Sequence, residues 1–145
     1  MERLRDRFAG AKVMVFTGPH LIALWRDETP GIVFPGCLDF PGGGREGGES
    51  PETCAIREAE EEIGLKLRVA DLTLVHIREH GDQISWFFAA HLPEASLKMV
   101  VFGGEGAGWQ AMPPDEFVTH PKAIPHFAEI LSAYLKDGAP LGPSN

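Results

Sequence analysis

The chain has 145 residues, 43% hydrophobic and 23% charged, with a formal net charge of −8. That size and composition fit one soluble domain with its own core, and the acidic balance without a basic patch excludes a nucleic-acid polymer or an anionic membrane as partner. Cys37 and Cys54 form no C-x-x-C pair and no disulfide framework, so reduced thiols are expected.

The first residues, Met1-Glu2-Arg3-Leu4-Arg5-Asp6-Arg7, lack the apolar core of a leader, and no run of 18 apolar residues occurs anywhere. A cytoplasmic protein is the expectation. Val13 to Phe16 and Leu21 to Trp25 are short apolar runs around Thr17-Gly18-Pro19-His20, which reads as two strands joined by a turn. Residues 27–37 contain Pro30, Gly31, Pro35 and Gly36 and read as a loop at the rim of a site. Val33, Phe34 and Leu38 near that rim fit a dimer contact or a lid, so monomer and homodimer both stay open.

Asp39-Phe40-Pro41-Gly42-Gly43-Gly44-Arg45 follows, a glycine-rich turn whose backbone can approach a ligand closely. It leads into a predicted helix. Ser50 is a good N-cap, Pro51 suits the first helical position, Glu52 complements the positive end of the helix dipole, and Gly64 suits a left-handed C-terminal cap. Ile56, Ala59 and Ile63 form one apolar stripe. Glu58, Glu61 and Glu62 stand at i, i+3 and i+4 and share another face. At ~5 Å and an effective dielectric near 20, each like-charged pair repels by roughly 3 kcal/mol. Three such carboxylates point to a divalent cation. Their oxygens, joined by main-chain carbonyls, make a hard donor set suited to Mg2+ or Mn2+.

Beyond the helix, Leu67 to Arg78 reads as a strand region, with His80-Gly81-Asp82-Gln83 as a hairpin turn into a strand from Ile84 to Leu92. Val100 to Phe102 reads as another short strand, residues 103–108 as a flexible loop, and Trp109 to Met112 as a further strand. Phe127, Ile130, Leu131, Tyr134 and Leu135 recur at helical spacing, giving a second amphipathic helix. Strands interleaved with two helices predict a sheet covered on both faces. Trp86, Phe87 and Trp109 fit base stacking less well than a core, and the histidines form no ligand pattern. Cys54 has no paired base and is no nucleophile candidate.

Gly43 to Leu65 resembles the Nudix box, G-x5-E-x7-R-E-U-x-E-E-x-G-U with U a bulky aliphatic. Gly43, Glu49, Arg57, Glu58, Glu61, Glu62 and Gly64 match every fixed position, and Ala59 replaces the first aliphatic one. The resemblance implies an α+β fold, the Nudix-type α/β/α sandwich with a mixed β-sheet. It implies a single Nudix hydrolase domain over residues 1–136; residues 137–145, rich in Gly and Pro, read from composition as a disordered tail. It implies Mg2+ as cofactor, with Mn2+ as a substitute, bound by Glu58, Glu61 and Glu62 with the Gly42 carbonyl. Arg57 and Glu49 would brace the turn from loop to helix.

Glu105, set among glycines before Trp109, resembles the later-loop glutamate of MutT-like members, although Ala107 stands where they carry Gln. It is a further candidate ligand or general base, in competition with Glu58 for the second role. Arg26 and Arg45 are candidates for the substrate phosphates. The implied reaction is hydrolysis of a small-molecule nucleoside diphosphate linked to another group, with a nucleoside triphosphate (oxidised or not) giving the monophosphate and pyrophosphate as the leading case. A nucleotide sugar, a dinucleotide or a coenzyme A-type substrate are alternatives. So is a non-catalytic nucleotide-sensing module. Where family subtypes carry marker residues, this chain has His80, Gly81 and Asp82, which match neither the proline nor the tyrosine of two known subtypes.

Overall fold

The computed structural model describes residues 2–137. Along the chain lie α1 (Glu2–Asp6), β1 (Gly10–Thr17), β2 (His20–Trp25), β3 (Leu38–Asp39), β4 (Gly42–Gly44), α2 (Pro51–Ile63), β5 (Leu72–His80), β6 (Gln83–Leu92), β7 (Gly108–Met112), α3 (Pro114–Thr119) and α4 (Pro125–Asp137). The seven strands form one mixed sheet in the order β3-β2-β1-β6-β5, with β4 pairing β1 and β7 pairing β2. β1 runs parallel to β6 and antiparallel to β2 and β4.

Period-two alternation in β1 explains the layering. Ala11, Val13 and Val15 face one way and meet Cys54, Ala55, Ala59 and Ile63 of α2. Met14 and Phe16 face the other way and meet Phe127, Ile130, Leu131 and Tyr134 of α4, with Phe117 of α3 beside them. The sheet is therefore covered on both faces, an α+β sandwich as the sequence implies. Helix α2 is bounded as its signals predict. The Ser50 hydroxyl accepts from the Thr53 N–H at 3.1 Å, and Gly64, at φ 71°, donates its N–H to the Glu60 carbonyl at 3.0 Å.

Several expectations need correcting. Val100 to Phe102 is not a strand: Val101 N–H donates to the Ile63 carbonyl and Gly103 N–H to that of Glu62, so the segment caps the end of α2. The region from Leu67 becomes a strand only at Leu72, because Asp71 accepts from the Arg68 backbone and guanidinium and tightens residues Val69–Asp71 into a 3-10 turn. Leu38 is wholly buried in β3 and offers no surface contact, whereas Val33 and Phe34 are exposed. The expected tail lies outside the described residues except for Asp137, which ends α4.

Candidate active site

The site begins where β4 lies against the start of β1, pairing Gly42 with Lys12, Gly43 with Ala11 and Gly44 with Gly10. Gly42 has φ 138°, and a side chain there would run into the Ala11 carbonyl and the Lys12 backbone. Only glycine fits. From this strand the chain turns through Arg45 to Ser50 into α2, which packs on β1 and β4 and so holds its acidic face beside the glycines.

Glu58 and Glu62 are half-buried and Glu61 is exposed, and Glu62 is the one bonded to the glycine strand. Its Oε1 accepts the Gly42 N–H at 2.7 Å. Burial pushes its carboxyl up to about 7; the Gly42 bond and the Lys12 charge work against that shift, and Glu58 and Asp39 add to it. Glu58 and Glu61 are held differently. Arg57 Nη1 donates to Glu58 at 2.9 Å and Glu61 at 3.1 Å, while its Nε and Nη2 meet Glu49 at 2.6 and 3.1 Å and its Nη2 reaches the Gly44 carbonyl at 3.0 Å. The Arg57 hydrogen bond holds the Glu49 carboxyl below its ordinary range, and Glu49 in turn raises the guanidinium pKa. The repulsion along this helix face is thus offset in part by an internal arginine.

The donors suit a hard divalent ion in chemical type. Among the described residues, however, no three acidic, histidine or cysteine side chains converge as a formed metal cage. The Gly42 carbonyl, a candidate ligand on sequence grounds, accepts from Lys12 Nζ at 3.1 Å, and it is the Gly42 N–H that meets Glu62.

Glu105 comes to the same place by a route the sequence does not announce. The segment before it is tied to the end of α2, and Gly103 lies so close that a side chain would overlap the Glu61 carbonyl. After it, the Ala107 N–H donates to the Trp25 carbonyl at 2.8 Å. Glu105 and Glu62 then line one cavity of about 490 Å3, together with Trp25, Arg26, Ile32 and Asp39. A second cavity of about 290 Å3 adjoins it, sharing Arg26 and Asp39, and is walled by Phe34, Phe87, Ile124, His126 and Phe127.

Between the cavities stands a cluster that sequence reasoning missed. Asp39, 5% exposed, receives Lys12 at 3.1 Å, Arg26 at 3.0 Å and the Phe40 N–H at 2.7 Å. A charge at Lys12 amid an apolar strand, and another at Asp39 between Leu38 and Phe40, was the available signal. Arg26 lines both cavities but is already engaged by Asp39 and by the Val33 carbonyl at 2.8 Å. Arg45 serves elsewhere. Its Nη1 donates to the Asp6 carbonyl, its Nε to the Glu49 carbonyl, and its guanidinium lies 4.5 Å from the Phe8 ring centroid. Trp86 and Phe87 are core residues, and Trp109 packs on the core from β7. Cys54 is buried, and burial lifts its thiol pKa to about 11, which leaves no thiolate for chemistry.

Comparison with known proteins follows the same lines. A 35-residue segment, 24% of this chain, is 60% identical to ADP-sugar pyrophosphatase of Mus musculus, and the match spans only 16% of that protein's length. Among solved structures, a MutT protein from Methanosarcina mazei Go1 superposes with a TM-score of 0.71 at 17% identity, covering 92% of this chain and 96% of that one. The E. coli ORF135 protein gives 0.66 at 22% identity, with 90% and 89% covered. A Francisella tularensis bifunctional NMN adenylyltransferase/ADP ribose pyrophosphatase, complexed with AMP and Mn ion, gives 0.70 at 16% identity over 92% of this chain and 42% of its own. At these identities the superpositions speak for the fold. The profile of the NUDIX domain matches residues 6–134, taking in the acidic helix, both cavities and both helical layers, and on that match the chain belongs to the NUDIX domain family.

Proposed function

We propose that this protein is a Mg2+-dependent pyrophosphohydrolase acting on a nucleoside diphosphate linked to another group, with a nucleoside triphosphate as the leading substrate. The observation that carries this reading is the position of Glu62. A carboxyl held near neutrality by burial, bonded to the Gly42 N–H and lining a cavity with Glu105, is unfavourable to leave alone and favourable to complete with a cation. Glu58, Glu61 and Glu62 are the residues to hold Mg2+ or, in its place, Mn2+. Bound there, such an ion supplies charge neutralisation at the phosphate oxygens.

The chain's own residues do the rest. Water attacks a phosphorus, the P–O bond of the anhydride bridge breaks, and the displaced phosphate or pyrophosphate leaves with the bridging oxygen. Glu105 takes the water's proton in this reading. Among the described residues its carboxylate has no ion pair, whereas Glu58 is held by Arg57. Arg26 and Lys12, shared with Asp39, are the cations nearest an anionic substrate; Asp27, Asp39, Glu62 and Glu105 outnumber Arg26 on the larger cavity's wall, so a bound cation is needed to balance that charge. The smaller, aromatic-walled cavity takes the nucleoside ring.

A second reading, a nucleotide sugar as substrate, draws on the 35-residue likeness to an ADP-sugar pyrophosphatase. A panel of nucleoside triphosphates, nucleotide sugars and dinucleotides, assayed with Mg2+ for phosphate or pyrophosphate release, separates the two. Glu62→Gln is expected to lower turnover about a thousandfold on whichever substrate is cleaved. Failure of the wild type on every compound, with Mg2+ or Mn2+, would sink the proposal.

A further inference from the structure

At the mouth of the smaller cavity, three strands run side by side on the face that packs against α4. β1 supplies Lys12 and β6 supplies Gln83, Ser85 and Phe87. One strand further out, β5 sets Arg78 opposite Ser85 and His80 opposite Gln83. Residues directly opposed in an antiparallel pair share a face, with Cβ atoms about 5 Å apart. Arg78 and His80 therefore stand beside two cavity-lining residues. From across the opening, α4 contributes His126, whose ring centroid is 5.9 Å from that of Phe34.

These groups form a basic shelf in an acidic protein. Among the described residues Arg78 has no ion pair, unlike Arg3, Arg5, Arg26, Arg57 and Arg68. The acids in the neighbourhood are Asp39, already engaged by Lys12 and Arg26, Glu79, which alternates to the other face of β5 and pairs with Arg3, the exposed Glu129 on α4, and Asp82 in the hairpin turn. His126 feels the shelf directly. Burial lowers its pKa first and the Arg78 and His80 charges lower it further, against Glu129 and Asp39. Arg78 and His80 have no task in the hydrolysis derived above, and His126 serves there only as part of the smaller cavity's wall.

We propose that Arg78, His80 and His126 bind a second anionic group, a phosphate or carboxylate carried by the ring-bearing half of the substrate. The substrate class narrows accordingly to nucleoside diphosphate derivatives with an additional anionic substituent on the nucleoside half. This rests on the proposed hydrolase reading for the placement of the diphosphate and ring, but not on the identity of the other group.

Metal-free calorimetry with AMP and with adenosine 3′,5′-bisphosphate tests the shelf without requiring turnover. The wild type is expected to bind the bisphosphate about tenfold more tightly, the order of one charge-assisted contact. The double substitution Arg78→Gln with His80→Gln is expected to bring the two affinities within about twofold of each other. Lys66→Gln, an exposed charge change between Leu65 and Leu67 of the opposite core, is expected to keep the preference. Thermal unfolding of each variant checks the fold. A wild type that binds both ligands equally, or neither, overturns the shelf, and so does a preference that survives the double substitution. Hydrolysis of the paired substrates NAD and NADP, and of dephospho-coenzyme A and coenzyme A, is measured alongside with Mg2+. A calorimetric preference with no hydrolysis of these four compounds or of the nucleotide panel above removes the hydrolase reading and leaves the shelf; hydrolysis without the preference overturns the shelf and leaves the hydrolase reading.

Discussion

The two sides of the acidic helix face solve the same electrostatic problem in opposite ways. On one side Glu49, Glu58 and Glu61 converge on Arg57, and every guanidinium nitrogen has an acceptor within 3.1 Å. On the other, Glu62 has burial, one backbone N–H and, among the described residues, no cation in direct contact, and its carboxyl is pushed up to about 7. The first side is complete as it stands and fixes geometry. The second is unfavourable as it stands, and that makes it the place where a ligand changes the energy most. Three glutamates that look equivalent at i, i+3 and i+4 are therefore unequal in the fold.

Removing the charge at Glu62 is the largest way to break this contrast. Glu62→Gln is expected to abolish the response to cations while making the metal-free protein more stable at pH 8. The sign follows from the raised pKa. Between its ordinary value of 4.5 and about 7, the folded state holds a proton that the unfolded state has lost. The contribution is therefore fully present below 4.5 and is lost as pH rises through 7, amounting to about 3 kcal/mol. Urea unfolding in EDTA at pH 5 and pH 8 reads it out: a wild type that loses no stability between them contradicts the assignment. Adding Mg2+ at pH 8 to about a hundred times its Kd is expected to return roughly 2.7 kcal/mol to the wild type and none to Glu62→Gln.

Arg57→Gln attacks the complete side. It leaves Glu49, Glu58 and Glu61 facing one another without their shared donor, at an expected stability cost of about 3 kcal/mol. Arg57→Lys keeps the charge but not the planar fork, and is expected to recover less than half of that. Full rescue by lysine in a melting experiment would show that charge alone, rather than the bidentate geometry, holds the loop to the helix.

Smaller again is Glu105→Gln, expected to lower turnover about a hundredfold with little change in the melting temperature, because its loop is fixed by backbone bonds on either side. A parallel loss of stability would place Glu105 in the framework instead of the chemistry.

Local features of this molecule were legible in the sequence, and features made by distant partners were not. Ser50, Pro51 and Gly64 bound α2 through contacts within a few residues, so the helix and its acidic face could be read in advance. β4 could not, since Gly42-Gly43-Gly44 has no strand preference and is extended only because β1 pairs with it. Val100 to Phe102 failed for the converse reason: it has β-branched residues, but the Val101 N–H goes to the Ile63 carbonyl at the end of α2 and the Val100 N–H to the Leu97 carbonyl. Lys12, Asp39 and Arg26 lie on three separate strands or strand ends, and nothing short of the fold puts them together.

Arg45 shows how the same limit acts on a single residue, and it yields the smallest expected effect. From sequence it stands beside the glycine turn and reads as a phosphate ligand; in the fold it fastens that turn to the N-terminal segment through the Asp6 carbonyl and the Phe8 ring. Arg5 reinforces the same clamp, donating to Glu52 at 2.7 Å and lying 5.2 Å from the Trp86 ring centroid. Arg45→Gln is accordingly expected to cost about 1 kcal/mol of stability, the size of a cation–π contact with a half-exposed hydrogen bond, and to leave KM within about twofold. A tenfold rise in KM with unchanged melting would return Arg45 to the substrate, because a lost phosphate contact weakens binding without loosening the clamp.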